Sequence, residues 1–288
     1  MEGAFMYTIV SKDILNPSVQ RIAVLAPEVA RAARPGQFII LRVNENGERI
    51  PLTVNDTDPE AGTVTVVFQL VGLSTKLLAL KEAGDSLQDF VGPLGNPSEL
   101  EGLTRVCVVG GGVGCAIAYP QAKALHAAGA AVDIIAGFRT QELIILEEEM
   151  RAVCDQLQVA TDDGSNGNKG FVTDLLRVRI DAMAADGEPP YERILAIGPL
   201  PMMRAVAELT RPYGIRTIVS MNTVMVDGTG MCGGCRLTVA GKTVFACVDG
   251  PDFDAHDVDF EEARRRSSFY RKQERESDEN CQLFREVR

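Results

Sequence analysis

Four residues in the C-terminal third have types and spacing suited to metal chemistry: Asp227-x4-Cys232-x2-Cys235-x11-Cys247. With cysteine at 227 this would be the C-x4-C-x2-C…C ligand pattern of a plant-type [2Fe–2S] cluster. Sulfide-bridged iron is soft and needs several anionic ligands converging on a small volume. Gly228, Gly230, Gly233 and Gly234 would let the loop adopt backbone angles closed to other residues and turn amide N–H groups toward sulfur. Zinc is the alternative, because a Cys-x2-Cys pair with a third cysteine also suits a tetrahedral site. A ligand loop with four glycines, which zinc does not require, favours iron and sulfide. A disulfide explains the spacing least well. Asp227 either completes the site with a carboxylate oxygen or leaves iron with three protein ligands. An oxygen ligand would change the charge at one iron, and with it the reduction potential.

Three other segments suit phosphate and dinucleotide chemistry. Arg49-Ile-Pro-Leu-Thr53 sets a permanent cation beside a strand that carries a hydroxyl. Val71-Gly-Leu-Ser-Thr-Lys76 offers a glycine and two hydroxyls ahead of a helix read over 76–83, and helix N-termini attract phosphate. Gln69, Val71, Gly72, Ser74 and Thr75 are the candidate contacts there. The plain alternatives are a solvated arginine and a Ser-Thr helix cap. Gly110-Gly-Gly-Val-Gly114 follows a buried apolar run and opens a helical pattern, the setting in which a glycine turn cradles a pyrophosphate. Its spacing is not G-x-G-x-x-G, and a tight structural turn is the competing explanation. Arg139 either meets a ribose phosphate or faces solvent. Asp162 and Asp163 are turn-formers or ribose contacts. The choice between NADH and NADPH stays open.

These groups need a scaffold, and the chain bounds it. Its 288 residues suffice for about two domains with real cores. A composition of 45% hydrophobic and 24% charged residues is that of a globular protein. The net charge of −11 argues against nucleic acid as a partner. No apolar run is long enough for membrane insertion, and Met1 to Tyr7 lacks the regions of a signal peptide. The seven cysteines, odd in number, fit a reducing compartment, the cytoplasm. Cys107, Cys154 and Cys281 read as buried or incidental thiols. With only His126 and His256, neither a histidine metal centre nor a Ser–His triad is expected.

Through about residue 100, short apolar runs (22–25, 38–43, 62–68) alternate with turn signals at 35–36, 44–47 and 56–62, predicting a small antiparallel barrel. Residues 90–97 read as its exit loop. Strand–helix units then follow: strands at 105–109, 132–139, 158–161 and 194–198, and helices at 115–128, 142–153, 172–179 and 202–211. Loops at the carboxyl ends of such strands are where an open parallel sheet binds its ligand. Segments 236–240 and 243–247 predict a hairpin about Gly241-Lys242 that swings Cys247 beneath the ligand loop. Residues 257–276 are helix-prone and highly charged, either a solvated terminal helix or a docking arm.

The barrel, Arg-x-Pro-x-Thr, Gly-Gly-Gly-Val-Gly-Cys-Ala, Gly-Pro-x-x-Met-Met and the cysteine loop, in this order, resemble the ferredoxin–NADP reductase superfamily. The likeness runs over about residues 5–275 and is strongest to its iron–sulfur flavoprotein subunits. These are the electron-transfer subunit of type B dihydroorotate dehydrogenase and the small subunit of NADH-dependent ferredoxin:NADP oxidoreductase, also called the sulfide dehydrogenase flavin subunit. The aspartate at 227 resembles the second subgroup, whereas the orotate-linked one has four cysteines.

The resemblance implies a β-barrel plus α/β fold: an FAD-binding barrel (1–98), an NAD(P)-binding parallel-sheet domain (99–220), a [2Fe–2S] module (221–250) and a helical tail (251–288). It places Arg49 on the FAD pyrophosphate, with Pro51, Leu52 and Thr53 in the flavin motif and Gly72, Ser74 and Thr75 in the second FAD-phosphate segment. Gly111, Gly112, Val113 and Gly114 match the nicotinamide-dinucleotide loop, and Gly198, Pro199 and Met202 the segment beside the nucleotide. Asp227, Cys232, Cys235 and Cys247 match the cluster ligands. The chain departs from common patterns at Leu52 (often aromatic), Ile117 (often proline) and Ile197 (cysteine in plant-type reductases).

The implied activity is oxidoreduction of NAD(H) or NADP(H) through FAD and a [2Fe–2S] cluster. The implied partner is a larger FAD/[4Fe–4S] subunit, with ferredoxin reached through the complex. Three other functions fit the residues: the orotate-linked subunit, a zinc-stabilised nucleotide-sensing module, and a self-contained reductase for a soluble carrier.

Overall fold

The computed structural model describes residues 7–280. Period-two patterning in the N-terminal part folds as β1 (Tyr7–Asn16), β2 (Val19–Leu25), β3 (Phe38–Arg42), β4 (Ile50–Asp58), β5 (Thr63–Gln69), β6 (Ser86–Leu87) and β7 (Asp89–Leu94). Two short helices, α1 (Pro27–Ala32) and α2 (Leu73–Ala79), interrupt them. The strands form one antiparallel barrel sheet in the order β6-β1-β2-β5-β4-β3-β7. Its core takes alternate residues, among them Ile22 and Val24, Val64 and Val66, and Ile39 and Leu41. The intervening Phe38 and Ile40 are equally buried but belong to a different core, outside the barrel. That explains the unbroken apolar run of β3: both of its faces are covered.

The second sheet has the order β10-β9-β8-β11-β12-β15. Its strands are β8 (Arg105–Gly111), β9 (Ala131–Phe138), β10 (Gln156–Thr161), β11 (Arg193–Ile197), β12 (Thr217–Ser220) and β15 (Asp252–Asp254). The first five are parallel, and β15 closes the edge antiparallel to β12. Four helices, α3 (Gly114–Ala127), α4 (Glu147–Arg151), α5 (Val172–Asp186) and α6 (Leu200–Thr210), connect the strands. The sequence order turns back between β8 and β11, the switch point at which open parallel sheets bind ligands. The hairpin of β13 (Arg236–Val239) and β14 (Lys242–Phe245) follows, and α7 (Phe260–Arg266) and α8 (Arg271–Asn280) end the described chain. Cys281 lies outside the described residues.

Several boundaries differ from expectation, each for a physical reason. Residues 90–94, read as an exit loop, are β7, with Phe90 opposite Leu41 and Val91 opposite Ile40. Gly92-Pro93 hid the apolar alternation. The turn read from 56 begins only after Asp58, where β4 ends. The helix read over 76–83 is Leu73–Ala79. It starts early because Thr75 Oγ1 accepts from the amides of Val71 and Gly72 at 3.1 and 3.2 Å. The helix read over 142–153 breaks into a 3-10 turn (Gln141–Leu143) and α4, because Ile145 and Leu146 leave it to enter the core, Leu146 at φ 54°. The hairpin turn is Ala240-Gly241, one residue earlier than read. Both sit at positive φ, 49° and 74°, as a type I′ turn demands.

Candidate functional site

The glycine turn expected to bind the dinucleotide is built where β8 passes into α3. A β-carbon on Gly114 would lie 2.4 Å from Ile197 O, so only glycine lets α3 start against the end of β11. Met202 packs onto the backbone of Gly111 and Gly198. Cys115, behind the turn, is fully buried, and burial pushes its thiol up to about 12. Around this turn opens a cleft of about 720 Å³ between barrel and sheet. It gathers Gln69, Gly111, Gly112, Val113, Gly114, Arg139, Gly198, Pro199 and Met202 of the expected residues. Asp163 is not among them. Its carboxylate accepts from Ser165 N and Oγ at 3.0 and 2.7 Å, and its neighbour Asp162 lines the cleft instead. Sequence reasoning missed Asn16, Ser18 and Phe171, which complete the walls. Asn16 Nδ2 also donates to Leu143 O at 3.1 Å, tying barrel to sheet. Nothing in their local sequence marks them, because the β1–β2 turn and the residue before α5 come to one cleft only in the folded chain.

The expected flavin residues do not line this cleft, Gln69 excepted. Pro51, Leu52 and Thr53 lie on β4 opposite Ile40, Ile39 and Phe38 of β3. Arg49 stands exposed just before β4, with no ion-pair partner among the described residues. Ser74 Oγ donates to Glu48 Oε2 at 2.7 Å. Thr75 is fully engaged at the start of α2, its hydroxyl also donating to Gly72 O at 3.0 Å. Val71 is 72% exposed.

The cysteine loop is organised by Asp227. Its Oδ1 accepts from Thr229 N at 2.8 Å and its Oδ2 from Cys232 N at 2.9 Å. Those amides, Thr229 first, hold its carboxyl below the usual range. Cys235 and Cys247 are buried with sulfurs 3.2 Å apart, brought together by the hairpin. Burial pushes the Cys247 thiol up to about 12. Cys232 is exposed at the outer lip, with Gly234 N donating to its sulfur at 3.4 Å. Among the described residues no three His, Cys, Asp or Glu side chains are gathered on one metal-ion position. Three thiols, one carboxylate and sulfur-facing glycine amides on one loop and hairpin are the donor chemistry of an iron–sulfide cluster.

The cysteine loop and the expected flavin residues are neighbours. Gly228, at φ 76°, packs so closely that a β-carbon there would lie 2.9 Å from Leu94 Cδ1 and 3.0 Å from Ile40 Cγ1. Ile40 is in turn the cross-strand partner of Pro51. Asn96 adds two bonds, from N to Gly250 O at 2.7 Å and from Nδ2 to Val248 O at 3.0 Å.

Comparison with known proteins agrees with this layout. Residues 222–259 match the family model described as the iron-sulfur cluster binding domain of dihydroorotate dehydrogenase B. A Thermotoga maritima protein, a dihydroorotate dehydrogenase B (NAD(+)) electron transfer subunit homolog, is 46% identical over 96% of this chain and 95% of its own. The Bacillus caldolyticus dihydroorotate dehydrogenase B (NAD(+)) electron transfer subunit is 34% identical over 90% of this chain and 99% of its own. A solved chain of an NADH-dependent reduced ferredoxin-NADP oxidoreductase, from work on flavin-based electron bifurcation, superposes with a TM-score of 0.88. It shares 45% identity over 97% of this chain and 99% of that one. The chain belongs to the family of dihydroorotate dehydrogenase B electron transfer subunits and their homologues.

Proposed function

We infer that this chain is the electron-transfer flavoprotein subunit of an NAD(P)H-dependent oxidoreductase, of the NADH-dependent ferredoxin:NADP oxidoreductase kind. The observation that carries this reading is the contact line from Gly228 through Ile40 to Pro51, which joins the cysteine loop to the flavin motif. When bound, FAD supplies hydride acceptance and one-electron release, and a [2Fe–2S] cluster supplies one-electron relay. The protein's part is placement. Gly111–Gly114 and Pro199 present backbone to the dinucleotide, and Met202 fixes the floor of the cleft. Arg49 offers a free cation to a pyrophosphate. Cys232, Cys235 and Cys247 would hold the cluster, with Asp227 offered for the fourth position. No side chain need act as acid or base.

Aspartate at 227 and the 45% identical bifurcation-related chain favour this kind over the orotate-linked subunit. The match of 222–259 to the dihydroorotate dehydrogenase B model keeps the orotate-linked subunit as the second reading. A larger FAD/[4Fe–4S] subunit is the partner we propose, with ferredoxin served through that complex. We place the assembly in the cytoplasm, where the six described cysteines, all free thiols, would stay reduced. No helix among the described residues is long and apolar enough to cross a membrane.

Anaerobic purification with associated subunits tests the proposal. Visible absorption, iron and sulfide assay, and EPR after NADH addition should show flavin bleaching and a reduced two-iron signal. Colourless, zinc-containing protein would overturn the reading. Co-purification with a flavin dehydrogenase that oxidises dihydroorotate would select the second.

A further inference from the structure

Outside the cysteine loop lies a second cavity of about 320 Å³, less than half the volume of the 720 Å³ cleft. Exposed Cys232 forms part of its wall, facing Arg236 of β13, Arg266 of α7 and the rings of Phe269 and Tyr270. The surroundings are strongly basic on a chain of net charge −11. From Arg264 to Lys272 five of nine residues are basic and none is acidic. Arg266 is fixed in place, donating from Nη2 to Gly234 O at 3.0 Å with its guanidinium 5.7 Å from the Phe269 ring centroid. Arg264 pairs with Glu261 and Lys272 with Glu276. Arg236, Arg265 and Arg271 have no ion-pair partner among the described residues. Phe269 and Tyr270 are 60% and 54% exposed, large rings left at the rim.

Arg236 and Arg266 line one cavity whose wall holds no carboxylate, and the exposed aromatic rings beside them forgo burial; an acidic, partly apolar surface would relieve both. We propose that this is the docking socket for an acidic face of the protein electron partner. Partner carboxylates enter between Arg236 and Arg266, against the exposed candidate ligand Cys232, while Phe269 and Tyr270 cover the rim. The inference rests on the electron-relay reading and adds the chemistry of the surface through which the relay leaves the chain. A compact acidic patch fits better than a long polyanion, which the negative charge elsewhere on the molecule repels.

A dye-labelled decaglutamate peptide is the probe, titrated into the holoprotein and followed by fluorescence anisotropy at low and high salt. Binding that weakens with salt, and falls about tenfold in the triple variant Arg236→Gln, Arg265→Gln, Arg271→Gln, is the expected result. All three side chains are solvent-facing, so the fold is retained. No binding to the wild type, or equal affinity for wild type and variant, overturns the proposal. Equally tight binding of decathymidylate with the same loss in the variant also overturns it, marking a general polyanion surface. The reduced two-iron EPR signal after NADH addition, read on the same preparation, reports on the relay, so failure of the relay and failure of the socket are distinguishable.

Discussion

At the scale of single residues, Asp227 has one role in the loop and a second, as a ligand, that we propose. Its carboxylate organises the loop through the amides of Thr229 and Cys232, and a carboxylate accepting two such bonds still has lone pairs for a metal. Asp227→Ala removes both acceptors, at about 1 kcal/mol each, and should purify with less iron and sulfide per chain and a lower Tm. Asp227→Cys separates the roles: a cluster that forms with an altered EPR signal and potential identifies a ligand position. An unchanged signal and potential would show that the carboxylate does not touch iron. The type and spacing of these residues were legible in the chain. The hydrogen bonds of Asp227 were not, because they depend on the path of the loop between 227 and 232.

At the scale of elements, most strands were legible because their apolar runs are covered on one face or two. β8 is an example, sending Val106 and Val108 to one core and Cys107 and Val109 to another. Short helices were less so. The end of α2 is decided by a distant residue: Lys12 Nζ donates to Ala79 O, Lys81 O and Glu82 Oε1 at 2.7, 2.9 and 2.7 Å. Lys12 lies on β1, its side chain only 9% exposed. Lys12→Met should cost about 1–3 kcal/mol by leaving carbonyls without a donor. Through α2 it should also weaken retention of FAD, measured by urea denaturation and by flavin dissociation on dilution. Lys12→Arg should restore part of both. Full flavin retention in Lys12→Met would separate α2 from the flavin site.

At the scale of the molecule, the seam between barrel and sheet is closed by a buried polar group. Ser98 N donates to Pro35 O at 2.9 Å, Ser98 Oγ donates to Asp252 Oδ2 at 2.6 Å, and Gln121 Nε2 donates to Ser98 Oγ at 2.8 Å. Asp252 Oδ1 and Gln121 Oε1 are buried without partners. Burial raises the Asp252 carboxyl above the usual carboxylate range, against hydrogen bonds that lower it. A folded pKa above the unfolded value of about 3.9 means that the protonated form favours the fold. That stability is fully present below the unfolded value and is lost as pH rises through the raised folded one. Asp252→Asn keeps an acceptor for Ser98, gains N–H donors and does not ionise. Its urea midpoint should therefore stay flatter from pH 4 to 8 and exceed wild type at pH 8 by about 1 kcal/mol of stability. Parallel profiles would refute this account of the seam.

The chain by itself determined most strands of the two sheets, the glycine turn, the cysteine spacing and the highly charged tail, because each is written in local spacing, in apolar period or in charge; that Asp252–Asp254, read as part of a helical tail, is the edge strand β15 was decided by its pairing with β12. Only the tertiary structure decided that Asp162 rather than Asp163 lines the cleft, that Asn16, Ser18 and Phe171 complete it, and that Gly228 rests on Ile40, the cross-strand partner of Pro51. The reason is physical. These contacts join residues far apart in sequence, and their geometry is fixed by how the strands pair and the two sheets pack.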